Sequence, residues 1–332
     1  MAHSDVIARL REHHEKVVRL DAQGSWGACV HRFETETLVA VEAAWAASRP
    51  LLIRGEPGIG KSQLARAVAH VLGRPFLPFV VNATCESTDL LYSYDAVSRL
   101  AQAQSQPRSA SRAKGSLSEL AEARFIRPRV LWWAYDWESA KAQAAAFCVP
   151  EKEPYKPADW EPEQGTVVLI DEIDKADSDL PNGLLESLGN HGFDVPQART
   201  HVALPRGVEA PLVMITTNEE RELPAAFLRR CFVLPLPFPK ERDDQVRFLV
   251  ARGKAHFHEV IDSEAVYMEA AQQVVNDRET VPKGQPRPGA AEYLDLLRAL
   301  ARLCPRDSEA QLQRLSSIKG FALHKHLDDS NE

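Results

Sequence analysis

The chain has 332 residues, 44% hydrophobic and 26% charged, which is enough apolar content to build one large α/β domain and a smaller second one. Forty basic against 47 acidic residues leave a net charge of −7, so the composition does not mark a nucleic-acid-binding surface. No run approaches the roughly 18 apolar residues of a membrane span. The amino end MAHSDVIARLREHHEK lacks a signal peptide's apolar centre, and the five cysteines (Cys29, Cys85, Cys148, Cys231, Cys304) form no C-x-x-C pair. A cytoplasmic protein with reduced thiols is expected.

Residues 6–20 carry apolar positions at helical spacing, and 34–47 continue in helical composition until Pro50 stops them. Short β-like runs then recur at 51–54, 76–81, 166–170, 212–217 and 231–234, with helical patterns such as 61–72 and 180–188 between most of them. This alternation predicts a parallel sheet with helical crossovers. Residues 102–130 form a Ser-, Ala- and Gln-rich stretch with six basic residues (Arg108, Arg112, Lys114, Arg124, Arg127, Arg129) and two acidic ones (Glu119, Glu122). It reads as a mobile insertion, either a solvated loop or one that touches a substrate in a pore. The WWAYDW run that follows, with Tyr155 and Trp160, reads as packing against the sheet or as a partner surface. After PLPFP at 235–239 the β signal ends, and helical patterns follow at 241–257, 263–276, 290–303 and 308–318. The pairs His256/His258 and His324/His326 have no carboxylate or cysteine at ligand spacing, so no metal site is expected at either pair.

The chemistry concentrates in two motifs. Residues 55–62 read GEPGIGKS and match the phosphate-loop pattern G-x-x-x-x-G-K-[ST], with an apolar run before it and a helical pattern after it. Gly55, Glu56, Pro57, Gly58, Ile59, Gly60, Lys61, Ser62 and Gln63 are therefore the candidate nucleotide-binding residues. In such a loop backbone N–H groups cradle the phosphates, the lysine reaches the terminal oxygens and the serine hydroxyl holds magnesium. The second motif, TVVLIDEID, places Asp171 and Glu172 at the end of an apolar strand, where open α/β sheets gather ligands. Ser62 and Asp171 suit Mg2+, and Glu172 is placed to orient and deprotonate an attacking water. The pair predicts ATP hydrolysis. The expected organisation is an N-terminal helical segment over 1–30, an α/β nucleotide domain over 31–238 with insertions at about 102–128 and 130–164, and a helical domain over 239–332.

Further runs sharpen the reading. LVMITTNEERELPAAFLRRC places Asn218 after a strand and Arg229 and Arg230 after a short helix. This looks like the AAA+ superfamily of P-loop NTPases. With LIDEIDKADSDLPNGLLESL and TDLLYSYDAVSRLAQAQ, it resembles the MoxR family of AAA+ ATPases over roughly residues 30 to 300. The resemblance implies a parallel five-stranded sheet in order 5-1-4-3-2 sandwiched by helices, a small all-α lid, and a homo-oligomeric ring, usually of six subunits, with ATP between neighbours. It also implies that Asn218 is a sensor of the phosphate, that Arg230 or Arg229 reaches the neighbour's ATP, and that Arg287, with Lys283 as the alternative, acts from the lid. Asn82 stands at the position that restrains the catalytic glutamate in many relatives, though an asparagine there is also turn chemistry.

The function expected from this is ATP hydrolysis coupled to remodelling or activating a protein partner, as in relatives whose partner carries a von Willebrand factor A domain. Two other readings stand beside it. One is a nucleic-acid-directed motor or defence-system NTPase, which would need a positive pore. The other is a slow nucleotide-binding switch, against which the intact Glu172 argues.

Overall fold

A computed structural model describes residues 3–105, 122–147, 149, 152–282 and 287–323. Arg108, Arg112, Lys114, Glu119, Cys148, Lys283, His324 and His326 lie outside the described residues.

The chain opens with α1 (His3–Glu12), β1 (Val17–Leu20), β2 (Cys29–Arg32) and α2 (Thr35–Ala46), then β3 (Leu51–Arg54), α3 (Lys61–Leu72) and β4 (Phe76–Val80). Next come α4 (Thr88–Leu91), β5 (Tyr92–Tyr94), α5 (Ala96–Ser105), β6 (Ile126–Pro128), α6 (Val130–Tyr135), α7 (Trp137–Ala146) and β7 (Val167–Asp171). The remainder is α8 (Asp179–Asn190), β8 (Gly192–Val195), β9 (Thr200–Ala203), β10 (Leu212–Thr217), α9 (Ala225–Leu228), β11 (Phe232–Pro235), α10 (Arg242–Phe257), α11 (Glu264–Thr280), α12 (Ala290–Leu303) and α13 (Ser308–Leu323). By contacts the chain divides into two units. One takes residues up to His14, Thr35–Arg54 and Ser62–Leu234; the other takes Glu15–Glu34, Gly55–Lys61 and residues from Pro235 onward.

The first unit is built on a five-stranded sheet in the order β11-β3-β10-β7-β4, which in order of appearance is 5-1-4-3-2. Strands β3, β7 and β10 are buried almost throughout, as central strands covered on both faces must be. The two edges carry the prolines, Pro78 in β4 and Pro235 in β11, where a missing N–H breaks no ladder. Parallel register sets Val80 beside Asp171, Ile215 beside Ile170 and Thr217 beside Arg54, so the carboxyl ends of these strands lie along one end of the sheet.

The helix expected over residues 6–20 is a correction. It ends at Glu12, Glu15 takes a left-handed conformation with φ 55°, and β1 then pairs antiparallel with β2. The reason is visible in burial: Val18 and Leu20 are buried while Val17 and Arg19 are exposed, the period of two that a strand imposes. The hairpin β8–β9 and the short pair β5–β6, whose second strand lies within the basic stretch, were not legible as strands.

The aromatics of the WWAYDW run, with Trp160, belong to the core, whereas Tyr155 is exposed. All six residues of α6 are buried, and two of its polar tips are hydrogen-bonded: Trp132 Nε1 donates to Ser139 Oγ at 3.1 Å and Tyr135 Oη to the Ser187 carbonyl at 2.8 Å. Trp137 Nε1 donates to Glu153 at 2.7 Å, and Trp160 Nε1 to the Gly165 carbonyl at 2.8 Å.

In the second unit, α12 buries Ala290, Tyr293, Leu296, Leu297, Leu300 and Ala301, the stripe of a helix lying on a core. Val266, Val274, Leu249 and Val250 fill that core together with Ile59 of the glycine-rich loop. Burying one such side chain is worth about 1.5–3 kcal/mol, so Ile59 anchors the loop to its own unit.

Candidate nucleotide site

In the first unit the sheet's carboxyl end gathers Ser62, Asp171, Glu172, Thr216 and Asn218. Ser62, in the first turn of α3, donates its hydroxyl to Asp171 Oδ1 at 2.8 Å and lies 2.9 Å from Oδ2. Thr216, fully buried on β10, donates to Asp171 Oδ1 at 2.5 Å and accepts the backbone N–H of Glu172 at 2.9 Å. A hydroxyl and a carboxylate in contact are hard oxygen donors of the kind magnesium takes, so Ser62 and Asp171 fit such an ion.

Glu172 sits in a left-handed backbone conformation, φ 60° and ψ 50°, which is uncommon for a side chain of its size. The N–H bond to Thr216 holds it there. Its carboxylate receives Lys175 Nζ at 2.5 Å on Oε2 and Asn218 Nδ2 at 3.4 Å on Oε1. Pairing with Glu172 raises the Lys175 ammonium's pKa. Asn218 is itself positioned by buried Asp174, whose Oδ2 accepts the N–H groups of Asn218 at 3.1 Å and Glu220 at 2.9 Å.

In the second unit the loop Gly55–Lys61 has its own geometry. Gly60 holds φ 102°, open to glycine and strained for other residues, and a Cβ on Gly55 would lie 2.5 Å from the Leu236 carbonyl oxygen. Lys61 is buried, and its Nζ donates to the carbonyls of Gly55 at 2.6 Å and Glu56 at 3.0 Å. The next residue in the chain, Ser62, stands in the first turn of a 12-residue helix, whose N-terminal N–H groups favour an anion.

A family model described as an AAA domain of the dynein-related subfamily matches residues 50–231, more than half of the chain. The chain belongs to that family. AAA domains as a class hydrolyse nucleoside triphosphates, and they are commonly oligomeric. Among solved structures, a proline-to-glycine mutant of Thermotoga maritima RuvB is similar with a TM-score of 0.45 and 14% identity, over 85% of this chain and 68% of that one. A threonine-to-valine form of the same protein gives 0.42 and 14%, over 85% and 67%. No curated protein matches the chain.

The AAA domain brings together Ser62 with Asp171 and Glu172 with Asn218. Arg229 and Arg230 stand apart: both side chains are exposed after α9 and have no partner among the described residues, while Arg49 donates to both of their carbonyls, at 3.0 Å to that of Arg230. Arg287 is exposed. Asn82 spends its Oδ1 on Thr84, accepting from its N–H at 2.9 Å and its hydroxyl at 2.8 Å, which is turn chemistry. Sequence reasoning missed Thr216, Asp174 and Lys175. The signals were present as the polar pair TT ending an apolar strand and as the residues after the acidic pair in DEIDK. No helix of the described residues is long and apolar enough to cross a membrane.

Proposed function

We propose that this AAA domain is a MoxR-like ATPase that works in the cytoplasm as a ring, of six subunits by family habit, and couples ATP hydrolysis to remodelling or activating a protein partner. The observation that carries the chemistry is the chain of contacts Ser62–Asp171–Thr216–Glu172, which ties the hydroxyl at the start of α3 to the backbone of the acidic residue after β7.

In this reading the triphosphate lies along 55–62, and the Lys61 ammonium exchanges its loop carbonyls for phosphate oxygens. Ser62 and Asp171 would hold Mg2+, which when bound neutralises charge on the β- and γ-phosphates. Glu172 accepts a proton from water as the water oxygen bonds to the γ-phosphorus. The bond to the bridging oxygen breaks, and its electron pair leaves on ADP. Asn218 orients the glutamate, since it already donates to Oε1. Arg230, or Arg229 beside it, serves the neighbouring subunit, consistent with their exposure. A guanidinium supplied in this way is worth on the order of 10³–10⁵ in rate. Arg287 contributes from the helical unit.

A protein partner, such as one with a von Willebrand factor A domain, is favoured over nucleic acid by the net charge of −7. The test is ATPase activity of the assembled protein with such a domain, or with single- or double-stranded DNA, at physiological salt. Stimulation by the protein domain supports the reading; strong stimulation by DNA that resists salt overturns it, because counterion release weakens purely electrostatic DNA binding steeply with salt.

A further inference from the structure

The phosphate loop contains one carboxylate, Glu56, two residues from Gly58 and five from Lys61. A negative side chain there opposes a polyphosphate unless something cancels it. The cancelling group is Arg278, near the end of α11, more than two hundred residues away in the chain. Its Nη2 donates to Oε1 of Glu56 at 2.6 Å and lies 2.7 Å from Oε2. The arginine side chain is only 9% exposed, against 47% for the glutamate. It is held from two other sides: Nη1 donates to the Pro288 carbonyl at 3.2 Å, and the guanidinium lies 4.2 Å from the centre of the Phe238 ring. Arg278 is therefore fixed in place by the helical unit, and Glu56 comes to it.

The neighbouring contacts point the same way. Ile59 is buried in the core of the helical unit, and a Cβ on Gly58 would lie 2.6 Å from that of Ala291 at the start of α12. The loop takes its shape from residues of α11, α12 and the 235–239 turn.

We propose that Arg278 is a positioning residue for nucleotide binding: by pairing with Glu56 it removes the repulsion between that carboxylate and the incoming phosphates and holds the loop in its binding form. The proposal rests on the reading of 55–62 as the ATP-binding loop. A purely structural arginine would lower stability when replaced, whatever stands at position 56. An electrostatic one makes the defect depend on the charge at Glu56 and on salt.

The experiment is titration of the full chain with a fluorescent ATP analogue and magnesium, with Lys61→Ala as the control for loop binding and thermal melting as the control for folding. Arg278→Gln should weaken binding on the order of tenfold at low salt, since an uncancelled charge near a polyphosphate costs at least that much. The deficit should shrink as salt rises from about 50 to 500 mM. Glu56→Gln, which leaves the buried arginine intact, should bind about threefold tighter than the wild type. The double variant Glu56→Gln/Arg278→Gln should regain most of what Arg278→Gln lost. Weaker binding by Glu56→Gln, or a double variant no better than Arg278→Gln, overturns the proposal while leaving the loop assignment intact. A wild-type protein that binds no nucleotide overturns both.

Discussion

Thr216 Oγ1 lies 2.5 Å from Asp171 Oδ1, and the same oxygen accepts the N–H of Glu172, so a single hydroxyl orients both acids of the DE pair. Thr216→Val keeps the shape and removes the bond. The Glu172 N–H then loses its acceptor in a half-buried setting, at a cost of about 1–3 kcal/mol that thermal melting will register. Nucleotide affinity should hold while turnover falls between about ten- and a hundredfold, the penalty for displacing a reacting group. Unchanged turnover in a folded variant would show that Glu172 does not need this tether.

The exposed pair Arg229 and Arg230 predicts a shared site. Arg230→Ala should bind ATP normally and turn over slowly by itself, as should Glu172→Gln. Mixed rings of the two contain interfaces with a glutamate from one subunit and an arginine from the next, so mixing should restore part of the activity. Recovery by Arg229→Ala mixtures instead would move the role one residue. No recovery with either, in proteins that assemble, contradicts a trans arginine.

His31 predicts an acid sensitivity of the second unit. Its Nε2 is enclosed without a hydrogen-bond partner, and burial, with Arg252 and His256 nearby, pushes the imidazole down to about 3. His256 is pushed to about 4, by burial and then by Arg252 and Arg298. Both are neutral when folded and protonate near 6.5 when unfolded, so the unfolded chain binds more protons in that interval. The stability they allow is complete above about pH 6.5 and is lost as pH falls, toward about 4 for His256 and about 3 for His31, with a slope of about 1.4 kcal/mol per unit for the enclosed His31 and less for His256. His31→Phe should flatten the acid limb of a melting-temperature profile; an unaltered limb would mean that His31 does not stay neutral.

Much of the sheet and the central acids were legible because they obey local rules. Central strands must be apolar throughout, and a phosphate loop needs glycine and lysine at fixed offsets, so 51–62 and 166–172 announce themselves. Residues 17–20 did not, because KVVRL follows a helix-forming stretch and only the pairing partner at 29–32 reveals a strand. Thr216 and Asp174 were hidden for a different reason. A polar residue at or just after a strand end has many uses, and only the contacts made in the folded domain, Thr216 to Asp171 and the Asn218 N–H to Asp174, tie the two to the acid pair. Arg278 was beyond reach from the sequence, since nothing local ties it to a glutamate 222 positions earlier.

The central claim is that Lys61 binds ATP and Glu172 acts on water. Measuring ATP binding and phosphate release for Lys61→Ala and Glu172→Gln on the assembled protein separates the two roles. The account predicts that Lys61→Ala loses nucleotide binding, whereas Glu172→Gln keeps ATP at near wild-type affinity and releases phosphate at least about a hundredfold more slowly. Equal loss of affinity in both, or hydrolysis that survives Glu172→Gln, would contradict it.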